Sequence, residues 1–485
     1  MGEKLGISAD KHAVVLYKLG IVQQKHVGRN MDNLGKHLHG GLTFTENDVA
    51  SHATDLFRPI AQEVSMKSSS LIHINPVSMN QTGPYDFKVI PRGDQYVQMS
   101  QIRLYMRAKV TTDAGAAIVD ADAISICNLF GNSMFQTIDI EIGGKTITDL
   151  QNSHSNYKAY LETLLSYTPD AGKGPLGASH FWMDEAGSFD DIKYGVDATA
   201  TVAATWSRND GFRARSGITK QSRLFDMMIP IHSDLFNCDR LLPPGVDLTL
   251  KLTRSKDSFV LMHPASTKSF KITLSAMKLV VPYITVADAI VANHKAKILT
   301  TPVLLPIKKT DILVHHVGVG GSLVQISNLF QNRLPKTLII GMLETESYNG
   351  ASGKNPYNFQ HFDVNYVTIT RNGVMIPSEP YTPDWDAKLY NREYRSFFDN
   401  IGIGTDNIGS IINRSLYAGG ASLFAFDMTP DRCNGYHWHK REEGGAIDID
   451  LRFKTALAKG TTIMLFGVYD ALVAIDKDMN VAVSY

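Results

Sequence analysis

A block of sequence recurs in this chain, and the recurrence limits the available folds more than any other feature. Phe225-Asp226-Met227 returns as Phe426-Asp427-Met428, and Val246-Asp247-Leu248-Thr249-Leu250 returns as Ile447-Asp448-Ile449-Asp450-Leu451. From aspartate to aspartate the separation is 21 residues in both copies. Upstream, the turn Ile142-Gly143-Gly144-Lys145 is followed by Tyr160-Leu161-Glu162, and Arg371-Asn372-Gly373-Val374 by Tyr390 and Arg392-Glu393-Tyr394. Identity kept together with order marks a repeated unit, so the chain reads as two copies of one module. Asp226 and Asp427 are then expected at matching strand positions, and Gly144 and Gly373 in matching turns.

Length agrees: 485 residues accommodate two modules of about 200 residues and an N-terminal arm. The 48 basic and 48 acidic residues cancel. A protein that grips nucleic acid carries a basic surplus or stripe, so sequence-specific nucleic-acid binding is not expected. Cys127, Cys238 and Cys433 lie far apart, which supports neither a disulfide framework nor a zinc knuckle and points to a reducing compartment. The apolar run from His12 is broken at Lys18, and nowhere do about 18 apolar residues run together. The expectation is a soluble protein made in the cytosol, with no membrane span. Gly6 stands where a myristoylation signal needs Ser or Thr.

Residues 1–65 are rich in His, Lys, Asn and Gly and lack strand alternation, which reads as an arm, either a free tail or a segment that orders against neighbouring subunits. From about Tyr85 strands begin. Ile102, Leu104, Met106, Ala108 and Val110 alternate with charged or aromatic partners, and Ile138, Ile140 and Ile142 lead through Gly143-Gly144 into a hairpin. Tyr157, Tyr160, Leu161, Leu164 and Leu165 share one helical stripe that Pro169 ends. A large loop, 168–222, follows without a clear period. Residues 286–305 read as a short helix and linker, and 306–485 repeat the order of elements: strands at Leu338–Ile340 and Phe362–Thr370, a helix near Lys388–Phe398, then strands at Phe424–Met428, Ile447–Phe453 and Ile463–Ala474. Many strands, one helix per copy and long loops describe an all-β chain of two tandem eight-stranded jelly rolls, the first over 66–285.

Chemical motifs are few. Gly143-Gly144-Lys145-Thr146 resembles the end of a phosphate loop, but the first glycine would fall at Asp139 and the segment is a hairpin. Gly318-Val319-Gly320-Gly321-Ser322-Leu323 lacks the third glycine of a dinucleotide fingerprint and reads as a loop leaving a strand. His437, His439 and Glu443 match the His-x-His-x-x-x-Glu half-motif of cupins, whose imidazoles and carboxylate hold Fe, Mn or Zn. Against this, Asp431 and Asp450 replace the flanking glycines, no histidine follows His439, and the first module has no counterpart; His37 and His39 form a weaker pair. Arg92-Gly93-Asp94 matches an integrin-type attachment tripeptide, while Gly-Asp between strands is also an ordinary turn. The sequons at Asn80 and Asn413 are expected to be unmodified. No catalytic constellation and no cofactor site emerges.

Four blocks carry a family resemblance: Asn156–Tyr167 (NYKAYLETLLSY), Gly245–Phe259 (GVDLTLKLTRSKDSF), Asn355–Asp363 (NPYNFQHFD) and Arg392–Phe397 (REYRSF). Together they resemble the double jelly-roll major capsid proteins of adintovirus and Polinton-type DNA viruses, from about residue 80 onward. The resemblance implies a non-enzymatic virion protein that forms a homotrimer. Six jelly rolls would then make a pseudo-hexagonal capsomer that tiles an icosahedral shell with neighbouring capsomers, penton and minor capsid proteins. Synthesis would be in the host cytoplasm, and the 168–222 loop would be an outward tower or an intersubunit clasp. Two other readings use the same fold: a bicupin-like metalloprotein built on His437 and His439, and a glycan-binding jelly-roll protein.

Overall fold

The computed structural model describes residues 62–119, 122, 124–148, 154–192, 207–264, 268–404, 409–430, 432 and 444–484. The arm before residue 62, His37 and His39, Cys433, residues 193–206 of the large loop, and the whole of the His437, His439, Glu443 motif lie outside these residues.

Eight strands build the first roll: β1 (Met66–Ile74), β2 (Tyr85–Val89), β3 (Arg103–Thr112), β4 (Phe135–Ile142), β5 (Lys145–Thr146), β6 (Phe225–Pro230), β7 (Leu248–Arg254) and β8 (Phe270–Val286). Eight more build the second: β9 (Val303–Val317), β10 (Leu323–Ile326), β11 (Thr337–Glu344), β12 (Val364–Arg371), β13 (Val374–Tyr381), β14 (Leu423–Asp427), β15 (Ile447–Phe453) and β16 (Thr461–Ile475). The first roll pairs its strands as β1-β8-β3-β6 and β2-β7-β4-β5, the second as β9-β16-β11-β14 and β10-β15-β12-β13. Adding eight to every strand of the first roll reproduces the second. The short strands Tyr96–Val97 and Val481–Ser484 add a fifth member to one sheet of each roll, beside β8 and β16. Two antiparallel sheets with this order of eight principal strands are a jelly roll, so the chain is a double jelly roll.

The turns Gly143-Gly144 and Asn372-Gly373 both join the fourth strand of a roll to the fifth. All four residues have positive φ, 54°, 78°, 50° and 81°, the backbone of a two-residue hairpin turn, which glycine and asparagine adopt at least cost. Asp226 and Asp427 both lie on the sixth strand, paired to the third. Their register differs: Asp226 faces Arg107 within β3, whereas Asp427 faces Thr337, the first residue of β11.

Leu104, Met106, Ala108 and Val110 of β3 are fully buried while Arg103, Tyr105, Arg107 and Lys109 point outward, the alternation expected of a sheet with one wet face. In β11, by contrast, all eight residues are buried. Leu338, Ile340 and Met342 point into the second roll, while Ile339 and Leu343 belong to a cluster continuous with the interior of the first. Both faces of this sheet are therefore covered, and the strand reads as an apolar run.

Three strands carry little apolar pattern. β1 (MKSSSLIHI) is almost wholly exposed and is held as an edge strand by backbone pairing to β8, and β9 and β10 are likewise mixed in pattern. Among the described residues four helices have ten or more residues, α1 (Ser155–Ser166), α2 (Asp210–Thr219), α3 (Asp288–Lys297) and α4 (Asn391–Asn400), beside shorter ones such as Phe130–Ser133 and Thr345–Asn349. The α3 helix occupies the segment between the rolls, with Asp288 in its first turn and Lys295 and Lys297 in its last, as the helix dipole favours. The large loop is more ordered than its composition suggested. It contains α2, capped by Asn209, whose side chain accepts from the Phe212 N–H, and it buries Phe181, Phe189 and Phe212. Its helix α2 is bonded to the first roll through Ser125, Ile126 and Ile124, while Asp184, Phe189 and Asp190 reach the second roll of the same chain.

Candidate functional site

A junction built on a shared apolar cluster fixes one roll against the other. Helix α1 is its centre. Tyr160 stacks face to face on Tyr357, with ring centroids 4.0 Å apart and planes 8° from parallel. Tyr157 meets Tyr348 at 6.0 Å, Tyr357 at 5.6 Å and Phe359 at 6.4 Å, all on the second roll. Gly341 of β11 makes room for this layer, since a Cβ there would lie 2.7 Å from the Phe359 ring. The Tyr357 hydroxyl is 2.5 Å from Ser133 Oγ, so Tyr357 is hydrogen-bonded to the first roll as well as stacked on it. Two of the blocks that carry the family resemblance, Asn156–Tyr167 and Asn355–Asp363, thus prove to be each other's contact surface.

Charged groups are buried beside the aromatic layer. Arg215 and Asp184 are both fully buried: Arg215 Nη2 donates to Asp184 at 2.6 Å, its Nε to the Ile126 carbonyl at 2.9 Å and its Nη1 to the Trp182 carbonyl at 2.5 Å. Asp184 also accepts from Asn209 at 2.8 Å and, across the junction, from Asn355 at 3.0 Å. Asp190 accepts from the Asn355 backbone at 2.7 Å and from the Asn358 amide at 2.9 Å. The insertion therefore clasps the second roll by hydrogen bonds, and Phe189 closes over Gly420, where any side chain would collide with its ring.

A second network lies on α1. Lys158 pairs with Asp234 and, at 3.7 Å, with Glu162, which accepts from His232 at 2.8 Å. Burial opposes ionisation of Glu162, but Lys158 and His232 beside it hold its carboxyl below the usual range. Burial likewise works against the Lys158 ammonium, and the flanking carboxylates nonetheless keep its pKa above the ordinary value. The spacing Lys158 to Glu162, one helical turn apart, was a readable signal of this pair. Nothing local marked Arg215, Asp184 and Asn355, which are brought together from distant parts of the chain.

His154 precedes α1 and places Nε2 2.8 Å from the Tyr348 hydroxyl. Burial, and then His316 nearby, pushes its imidazole down from 6.5 to about 4. Between those values the unfolded chain takes up a proton that the folded chain refuses, so this contribution to stability is present above pH 6.5 and is lost as pH falls toward 4. The expected loss through this residue is roughly 3 kcal/mol. Urea unfolding at a series of pH values should show a His154→Gln variant with a flatter profile across this window than the parent.

The attachment tripeptide is a turn in the structure: the Gln95 N–H donates to the Arg92 carbonyl at 3.0 Å and Gly93 has a φ of 55°. Arg92 lies over the Tyr283 ring at 5.3 Å, and Asp94 pairs with Lys295 of α3 at 2.7 Å. Among the described residues no group of three or more His, Cys, Asp or Glu side chains is placed to hold a metal ion, and no helix is long and apolar enough to cross a membrane. Cys127 and Cys238 are buried thiols, the former pushed up to about 12 by burial.

No family model matches the chain. The uncharacterized protein F54H12.2 of Caenorhabditis elegans is 21% identical over 360 residues, 72% of this chain and 80% of its own length. Among solved structures, a chain of the Sputnik virophage superposes with a TM-score of 0.60 at 12% identity, covering 92% of this chain and 94% of its own. The Faustovirus major capsid protein gives 0.54 at 8% identity over 86% of this chain and 92% of its own. The mavirus major capsid protein gives 0.51 at 12% over 92% and 96%. Matches of this extent at such low identity testify to architecture, and the architecture is the one derived above from strand order: the chain has the double jelly-roll fold of viral major capsid proteins.

Proposed function

We propose that the chain is a major capsid protein, of the adintovirus and Polinton type, whose homotrimers form pseudo-hexagonal capsomers that tile an icosahedral shell around a DNA genome. The observation that carries this reading is the pair of rolls with one strand order, packed on each other inside a single chain through a shared apolar cluster. Two like units per chain let a threefold trimer present six similar edges, and a rigid junction keeps those edges in fixed relation. In this reading residues 1–65 are an arm, 66–285 and 306–485 are the two rolls, and 286–305 join them. The partners are two further copies, neighbouring capsomers, and penton and minor capsid proteins, and the place of action is the virion. The buried ion pairs and stacked tyrosines serve shape rather than turnover, so no substrate or cofactor is assigned.

The test is the mass of the purified full chain in solution, with its metal content. The expected species is three times the 53.5 kDa of one chain, assembling further into shells or sheets visible by electron microscopy. A monomer at every concentration defeats the proposal, and a stoichiometric metal released by His437→Ala or His439→Ala supports the bicupin alternative instead.

A further inference from the structure

The outer faces of the two equivalent sheets have opposite fates. In the second roll, one row across β9-β16-β11-β14 is Ile312, Phe466, Ile339 and Ala425. These side chains are buried and belong to the cluster shared with the first roll. Counted from the first residue of the third strand, the matching row of the first roll across β8-β3-β6 is Lys278, Tyr105 and Met228. Here Lys278 is exposed, Tyr105 half-buried and Met228 42% exposed, and Leu71 on the neighbouring β1 is 64% exposed.

The opposite side of each roll shows the reverse asymmetry. In the first roll this receiving side consists of α1, the β4–β5 turn and the loop after β6, and all three touch the second roll. Tyr160 stacks on Tyr357, Gly143 abuts the Met479 carbonyl, and Arg240 donates to the Leu304 carbonyl at 2.5 Å. In the second roll the counterparts of the first two are α4 and the β12–β13 turn. There Arg392 and Arg395 lie on the open side of the helix, and Val374, Met375 and Leu389 are 66%, 40% and 68% exposed.

We infer that the outer face of β1-β8-β3-β6 is the docking surface for a second copy of this chain, which presents its second roll's α4 and β12–β13 turn. The inference rests on the capsid reading and deepens it by naming the trimer contact. The contact inside the chain is heterologous, sheet face to helix side, and leaves, among the described residues, one uncovered sheet face and one uncovered helix side. A head-to-tail contact of this kind closes into a ring when each step turns by about sixty degrees, which takes six rolls, or three chains. Composition follows from the order of events. The face covered during folding is apolar, whereas the face covered only on association must stay in water first. Tyr, Arg and Met suit such a surface because they combine contact area with polar reach. Tyr105, Arg107 and Met228 supply this mixture, with Arg107 donating to the Tyr105 hydroxyl at 2.6 Å and that hydroxyl donating to Asp226 at 3.2 Å.

The experiment uses the full chain with Leu71→Glu and Met228→Glu combined, read by light scattering after size separation. The expected result is a folded single-chain species with the parent's circular dichroism, needing at least roughly tenfold more protein to reach the trimer. A second arm does not depend on that variant folding: Met228→Cys with Arg395→Cys, treated with a short bismaleimide, should give a covalent ladder ending at three chains, absent from either single variant. A parent trimer that ignores the charges and yields no ladder overturns the docking surface while leaving the capsid reading intact. A parent that is monomeric throughout removes both.

Discussion

Replacing Arg215 by alanine is expected to lower stability by about 3–5 kcal/mol, the cost of leaving a buried charge without its partner. Asp184 has no access to water, and its remaining donors, Asn209 and Asn355, are neutral amides. Arg215→Lys should recover little. One ammonium cannot reach the Ile126 carbonyl, the Trp182 carbonyl and Asp184 together, as the planar guanidinium does. Arg215→Met combined with Asp184→Asn should be less harmful than Arg215→Met alone, because both charges leave together. Urea unfolding midpoints of the four variants and the parent decide the matter. An Arg215→Ala chain as stable as the parent would show that the buried pair contributes nothing.

The second large effect concerns the stacked rings. Tyr160→Ala should lose about 3–5 kcal/mol, as other large-to-small aromatic deletions in cores do. The deletion opens a cavity opposite Tyr357 and removes a stacking contact that adds about 1 kcal/mol beyond area burial. Tyr160→Phe keeps the ring and should lie within about 1 kcal/mol of the parent, because only the hydroxyl is removed. The damage should also be local. Faster amide hydrogen exchange is expected in Asn355–Gln360 and α1, with the interior strands β12 and β15 of the second roll unaffected. If the proposed capsomer needs a rigid junction, this variant should form trimers that fail to grow into regular shells. Normal exchange in Asn355–Gln360 would argue that the stack is incidental.

These two sites differ in how far they could be read in advance. Tyr157, Tyr160 and Leu164 follow a helical period, so α1 and its apolar stripe were visible, and α1 indeed buries them. What lay opposite was not, because Tyr357 and Phe359 sit in an irregular segment with no period of its own. The same limit hid the insertion. Its aromatic residues lack periodicity because they fill gaps between elements instead of lining one, and only the Asn209-Asp210 start of α2 carried a local helix signal. β1 escaped notice for the opposite reason: an edge strand held by backbone hydrogen bonds places no demand on side-chain alternation.

Taken by itself, the order of residues determined that the chain is a doubled β-module. Period-two burial and hairpin turns are local consequences of strand geometry, and their recurrence survives without any knowledge of contacts. Only the tertiary structure decided which face of which sheet is covered, and by what. Burial of Ile339 and Phe466, like the pairing of Arg215 with Asp184 and Asn355, depends on segments far apart in the chain arriving at one place. Sequence spacing carries no record of that meeting, since a side chain's own periodicity reports which way it points and not what it will touch.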